Sequence, residues 1–325
     1  MSLAEHPVFA SLTPVFLLIG VGYVAGRRRW VRPEGVRDLS SLAFMVLMPA
    51  LLFRTMSQVH VTELDARPVL AYFSAAVVVL CACMAWRGFN RHSVVAALAS
   101  TFSNMVMIGI ALVGLAYGQA GLVTLVTLVS VHALILLTIG AVVLELAVAR
   151  EARGSGQHAP HLVAAAASAI RGALIHPVPL PIAAGLVFSL TGWRLPAVID
   201  RPLQLLGSAY GSLALVLVGA SLAAAPMRGH WREAVQAVAV KNLLLPVVVG
   251  ASAWLWGIRG LPLTVLVVAA GLPTGANVFM FAQRYRVAEE LTTATMGAST
   301  AAAALTLALV MAAMAWLNPL PGLTG

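Results

Sequence analysis

Two apolar stretches of the chain carry polar and backbone-loosening residues where a membrane helix should be most regular. One is Ser103-Asn104-Met105-Val106-Met107-Ile108-Gly109 and the other is Gly271-Leu272-Pro273-Thr274-Gly275-Ala276-Asn277. In hydrocarbon an opened helix leaves N–H and C=O groups without partners, at several kcal/mol each, so it persists only where buried or lining a cavity. An interrupted helix also presents the free N–H groups and partial positive charge of its second half, a setting that suits a carboxylate. A pair of such segments, one in each half of a chain, is the best sequence pointer to a transporter's binding site. Ser103, Asn104, Thr274 and Asn277 would then supply directional hydrogen bonds, while Gly109, Pro273 and Gly275 would shape the break. The plainer reading is that each asparagine bonds a neighbouring helix and that glycine and proline only ease packing. The matched pair favours a binding site.

Two ionisable residues also lie within apolar runs. His132 falls near mid-depth of its run, where such a group is rare and faces a cavity or another helix. Lys241 lies about eight residues inside its own run and either attracts an anion or reaches back to the interface. Both are candidate substrate-binding residues. The eleven acidic residues all fall in loops or near helix ends, so a cationic substrate would lack a counter-charge. No His/Glu helix motif or Asp-rich diphosphate site is present, so neither an enzyme, a bound metal nor a cofactor is expected. Gly219-Ala220-Ser221 is a common tripeptide with no evident tie to His132. Cys81 and Cys83, two apart on one helix, point to different faces and read as small apolar filler.

These residues must be positioned by membrane helices. Hydrophobic residues make up 61% of the 325 and charged residues only 10%, far from the balance of a soluble domain. The class is an all-α polytopic membrane protein, with no nucleic-acid partner despite a net charge of +9. The N-terminal run lacks a basic flank and a small-residue cleavage site, so it is not expected to be a removable signal peptide. Ten spans are expected near 7–26, 38–57, 68–87, 92–116, 121–149, 168–190, 203–225, 233–257, 262–283 and 290–317. Alternate connections hold 14 of the arginines against 5 in the others, which places the arginine-rich set in the cytoplasm and both termini outside.

Ten spans divide into two sets of five, and an odd-numbered repeat must enter the membrane in opposite senses. His6-Pro7-Val8 recurs as His176-Pro177-Val178, Val77-Val78-Val79 as Val247-Val248-Val249, and Asn104-Met105 resembles Asn277-Val278 at nearly the same offset. The expected organisation is a first five-helix repeat over 1–150, a cytoplasmic linker over 151–167 and a second, inverted repeat over 168–325, with broken helices 4 and 9 crossing. At about 1.5 Å per residue, Asn104 lies roughly 18 Å deep and Asn277 similarly deep from the other side, close to the midplane.

At these same residues the chain resembles the auxin efflux carrier family, in its bacterial branch of small organic-anion permeases that includes malonate-type transporters. Met48-Pro49-Ala50-Leu51-Leu52-Phe53 resembles the second-span proline motif, Asn104 through Ile110 the fourth-span crossover, and Lys241-Asn242 with Pro246 the eighth span. Leu272-Pro273-Thr274-Gly275 and Phe281 through Tyr285 resemble the ninth-span signature. The resemblance implies a fold like the sodium/proton antiporters or bile-acid symporters, with spans 1, 2, 6 and 7 as scaffold and spans 3–5 and 8–10 as a mobile transport domain. It also implies elevator-like motion, a homodimer formed through the scaffold and a bacterial inner (plasma) membrane location. The substrate carboxylate would sit at the crossover on Asn104, with His132 at a polar position of the fifth span.

Two positions depart from the pattern. Ala111 stands where the fourth-span crossover proline is expected, and Val278 where its ninth-span counterpart is, so softer breaks are expected. The acidic and basic pair of the plant third span is absent. The expected function is a secondary transporter of small organic anions such as mono- or dicarboxylates, with proton or sodium coupling left open. The alternative is a bile-acid-type symporter of amphipathic metabolites, and a channel is a weaker competitor because the polarity is concentrated at two breaks. Gly185, in a scaffold span, is expected to accept alanine mildly.

Overall fold

The computed structural model describes residues 7–59, 65–155, 179–224 and 231–320. Among them the chain is helical, and its one extended pairing is an isolated antiparallel bridge between Ser103 and Thr274. The helices are α1 (Pro7–Arg27), α2 (Pro33–Leu42), α3 (Met48–Ser57), α4 (Arg67–Arg87), α5 (Arg91–Ala99) and α6 (Ile110–Ser155). After the undescribed segment 156–178 come α7 (Pro179–Leu190), α8 (Ala197–Ala224), α9 (Trp231–Ala239), α10 (Leu245–Leu255), α11 (Gly260–Gly271), α12 (Asn277–Tyr285) and α13 (Glu289–Leu317). Among the described residues, six helical runs are long and apolar enough to cross a membrane, and Leu12–Arg27, Leu180–Leu190 and Gly260–Gly271 are shorter apolar helices. The predicted linker lies outside the described residues beyond Ser155, as does the start of the predicted sixth span up to Val178.

Local chemistry explains where the helices bend. Ala43–Leu47 and Val240–Leu244 are wide turns of π geometry that run directly into Met48-Pro49 and Leu245-Pro246. Proline has no N–H to give to the carbonyl four residues back, and its ring crowds that carbonyl. The ladder shifts register, and Met48 N–H bonds Ala43 O while Leu245 N–H bonds Val240 O, five residues back. Within α6, Gly118 takes φ 60° and ψ −154°, so the run is two helices meeting at that glycine. A run of 46 residues would otherwise be about 70 Å long, twice the hydrocarbon thickness.

Packing divides the helices into two groups. In the first, α1 lies along α8, and α3 lies against both α7 and α8. In the second, α4 packs on α5 and α10, α11 on α6 and α10, and α13 on α9, α11 and α12. The groups meet where α6 touches α1 and α8, and where α13 touches α1. Small residues allow the close approaches of the first group, as in membrane helix interfaces generally. Gly22 faces Val216 O and Gly219 faces Ile19 O with no room for a Cβ, and Gly26 lies against Ala220 and Ala223. Arg54 of α3 donates to both Asp200 oxygens of α8, at 2.7 and 3.1 Å. Gly185 departs from expectation. An alanine Cβ there would lie 2.6 Å from Phe53 O and 2.9 Å from Met56 Cβ, so the position is a backbone contact between α7 and α3 and not a tolerant one.

Candidate functional site: two broken helices that cross

The fourth predicted span breaks after Ala99 and resumes at Met105, and the ninth breaks after Gly271 and resumes at Asn277. The two extended segments lie against each other as a short antiparallel pair. Asn104 N–H donates to Pro273 O at 2.8 Å, and Gly275 N–H donates to Phe102 O at 3.0 Å. Backbone groups freed by one break are thereby satisfied by the other, which is what an opened chain in an apolar setting requires.

Ala111 does not soften the fourth break, because the break sits upstream of it and needs no proline. Ser100 and Thr101 turn their hydroxyls back onto Ala96 O and Ala97 O, at 2.9 and 3.0 Å. Thr274, from the other break, donates its hydroxyl to Ala99 O at 2.8 Å, and its own N–H is taken by Ser299 Oγ at 3.0 Å. Asn104 then caps the resumed helix, with its side-chain oxygen accepting Met107 N–H at 3.2 Å. That leaves the side-chain NH2 of Asn104 as its donating group.

The carbonyl ends and the amide ends of the four half-helices are treated differently. The carbonyl end of α5 is met by Thr274. The carbonyl end of α11 is met by Lys241, whose ammonium donates to Ala270 O at 2.6 Å and Leu272 O at 2.7 Å. The amide ends, at Met105 and Asn277, border a cavity, with Met105 and Met107 N–H bonded to Ser103 O and Asn104 Oδ1 and Val278 and Phe279 N–H bonded to Gly275 O and Ala276 O. A small cavity of about 60 Å³ is lined by Phe102 to Met107, Gly275 to Asn277, Phe44, Val129, Ser130 and His132. One water needs about 10–15 Å³ of such volume, so there is room for a few waters or one carboxylate head. A larger cavity of about 530 Å³ lies on the other side and shares Asn104, Met107 and Ala276 with the first. It runs between α8 (Val218, Ser221, Leu222) and α13 (Thr293, Met296, Gly297, Thr300), with Glu289 and Glu290 at its rim.

His132 is 4% exposed and stacks among Phe102, Tyr72 and Phe73, with ring centroids 4.4, 5.9 and 5.9 Å away. Neither ring nitrogen closes a hydrogen bond of good geometry, although the Ser103 main chain lies close by. A buried polar group without a partner at a cavity wall is available to a ligand. Ser103 shares a hydrogen bond of 3.0 Å with Tyr72 Oη, which fixes its side chain away from other duties.

The predicted residues thus fall into three places. Ser103, Asn104, His132, Gly275 and Asn277 line the small cavity, and Asn104 and Thr274 line the larger one. Pro273 and Gly109 support the crossover without lining either cavity, Pro273 through its carbonyl and Gly109 through contact with Leu272. Lys241 does not reach the interface and lines neither of these two cavities. It is 0% exposed and bonded to the end of α11, where a helix terminus leaves carbonyls without intrahelical partners. Sequence reasoning missed Phe102, Tyr72, Ser299 and Thr300. The hydroxyl-rich run Thr292 to Thr300 in an otherwise alanine-rich helix was the available signal for the last two.

Comparison with known proteins places the chain among membrane transport proteins. The model of the membrane transport protein family matches residues 7–311. A protein of Rhizobium meliloti (strain 1021) named "Putative malonate transporter" is 29% identical over 291 residues, covering 87% of this chain and 88% of its own. The "Uncharacterized transporter YfdV" of Escherichia coli (strain K12) is 24% identical over 298 residues, 89% of this chain and 91% of its own. Auxin efflux carrier component 3a of Oryza sativa subsp. japonica is 33% identical over 109 residues, 32% of this chain and 18% of its own.

Proposed function

The chain belongs to the membrane transport protein family, that of the auxin efflux carriers, and from that premise we propose that it is a secondary transporter of small organic anions, bound where the broken fourth and ninth spans cross. It is a membrane transporter and not an enzyme. The observation that carries the substrate class is the asymmetry of the half-helix ends. Both carbonyl ends are neutralised from within the protein, while both amide ends, with the Asn104 side chain, border cavities. Amide ends favour negative charge. The name of the Rhizobium meliloti relative, a dicarboxylate transporter by that name, supports mono- or dicarboxylates.

In this reading ten spans form two inverted repeats, over 1–150 and 168–325, joined by the 151–167 linker. The group containing α1, α3, α7 and α8 is the scaffold and the second group is the moving domain. The larger cavity lies between the two, as a site carried past a fixed scaffold should. By the arginine rule its rim at Glu289 and Glu290 is on the cytoplasmic side, which makes this the inward-open state. The carboxylates at that rim belong to the first turn of α13, where the helix dipole favours them. The protein sits in a bacterial plasma membrane with both termini outside and dimerises through the scaffold. A second reading, a carrier of amphipathic metabolites in the manner of bile-acid symporters, is favoured by the apolar side chains of the larger cavity, among them Met107, Val218, Leu222 and Phe279.

The test is uptake into proteoliposomes of small carboxylates, their amides and a bile-acid-sized amphipathic anion, under imposed sodium and proton gradients. The proposal expects flux of a small mono- or dicarboxylate and little of its amide. Movement of organic cations or sugars with no carboxylate flux would contradict it, and flux of the large amphipathic anion alone would select the second reading.

A further inference from the structure

Lys241 is the sole lysine of the chain, and its side chain is among the largest that are fully buried. It projects from the wide turn Val240–Leu244 to the point where α11 stops at Gly271 and the chain turns extended, with Leu272 at φ −60° and ψ 152°. There it bonds two main-chain oxygens, Ala270 O and Leu272 O, at 2.6 and 2.7 Å. Among the described residues it forms no ion pair with an aspartate or glutamate. Its counter-charge is therefore the negative end of a half-helix and the orphan carbonyls that end presents.

Converging carbonyls at an unwound segment and a half-helix C-terminus, next to a substrate site, are also the ligand set that broken-helix transporters offer to an exchangeable coupling cation. Main-chain oxygens are hard ligands of the kind that hold alkali and alkaline-earth ions. Here those oxygens are occupied by an ammonium that is tethered to the chain and cannot leave during the cycle. The neighbouring Asn242 holds its turn in place by donating to Ser299 O at 3.0 Å and to Thr306 Oγ1 at 3.1 Å. Ser299 in turn accepts the N–H of Thr274. The lysine is thus anchored to the same framework that holds the crossover.

We propose that Lys241 is a resident cation. It fills the place an exchangeable sodium ion would take at the end of α11, holds the ninth-span break open, and makes anion binding independent of sodium. The proposal rests on the crossover being the transport site, but its test requires no substrate, so a wrong substrate class would leave it intact.

Purified wild-type protein and Lys241→Ala, which empties the lysine volume, are compared without any carboxylate. Binding of radioactive sodium is read by scintillation proximity, and thermal unfolding is read in sodium chloride and in choline chloride. The wild type should bind no sodium above background and unfold at the same temperature in both salts. Lys241→Ala should bind sodium saturably and be stabilised by it, because the vacated carbonyls become a cation site. Recovery of the variant in sodium chloride but not in choline chloride has the same meaning. Saturable sodium binding by the wild type would overturn the proposal, as would a folded Lys241→Ala indifferent to sodium, potassium and lithium. If the variant is not recovered in any salt, the wild-type sodium measurements decide alone.

Discussion

The break after Ala99 and the break after Gly271 do the same work with different means. The first is satisfied by the main-chain N–H groups of Ser100, Thr101 and Phe102, doubled by the hydroxyls of Ser100 and Thr101, and by one donor from across the crossover, Thr274. The second contains a proline and no hydroxyl before Thr274, and its carbonyls rely on a cation from a third helix, Lys241. Several weak local bonds can be lost one at a time. A single charged donor holding two carbonyls cannot. The comparison teaches that the first break is specified locally and redundantly, and the second by one distant side chain.

The comparison breaks first at Lys241. Lys241→Met fills the volume without a donor and leaves two buried carbonyls unsatisfied, at about 1–3 kcal/mol each. A loss of about 2–6 kcal/mol is expected, read as a large fall in the thermal midpoint that sodium does not restore because no room is left for it. A midpoint within the range of surface variants would show that the second break does not depend on this residue.

Asn104→Ala comes next. It removes both the cap of the resumed helix and the free NH2 at the cavities. A hydrogen bond to a charged group contributes about 1.5–3 kcal/mol, or roughly 10- to 150-fold in affinity. Carboxylate-induced thermal shift on the purified, folded variant would report that loss.

Thr274→Val tests the shared donor. It keeps the shape and deletes the bond to Ala99 O, at about 1–3 kcal/mol of stability. Because the Thr274 N–H remains on Ser299, the crossover should persist and binding should weaken less than in Asn104→Ala. Chemical unfolding and carboxylate binding on one preparation would separate the two effects. Pro273→Ala is milder still for binding. The Pro273 carbonyl that accepts from Asn104 is retained, while the restored N–H lets the ninth span close toward a continuous helix. Uptake should fall more than affinity, and equal losses in both would contradict this. Ser100→Ala closes the series. Its hydroxyl bonds Ala96 O, which the Ser100 N–H already serves, so a change within about 0.5 kcal/mol is expected.

The helices and the two breaks were legible in the sequence because their signals are local. Apolar runs of membrane length, Asn104 four residues before Ile108, and Pro273-Thr274-Gly275 each declare themselves within a few positions. Ala111 in place of the expected crossover proline points to a softer fourth break, whereas the chain opens upstream of it, between Ala99 and Met105, without a proline. Other features depend on which surfaces meet. Nothing near Lys241 in sequence states that the end of α11 lies within reach, about thirty residues on. Gly185 looked like a tolerant glycine because its partner, Phe53 O, is on another helix. The pairing of Arg54 with Asp200 joins the two halves of the chain across 146 residues. His132 was identifiable as anomalous, but its aromatic cage of Tyr72, Phe73 and Phe102 comes from two other segments.

The central claim is that the two amide ends and Asn104 select negative charge at the crossover. It is tested most directly by calorimetric titration of a small dicarboxylate and its diamide into the wild type and Asn104→Ala. The account predicts measurable binding of the dicarboxylate, little or none of the diamide, and a loss of roughly 10- to 150-fold for the anion in the variant. Equal affinity for anion and diamide, or an undiminished affinity in folded Asn104→Ala, would contradict it.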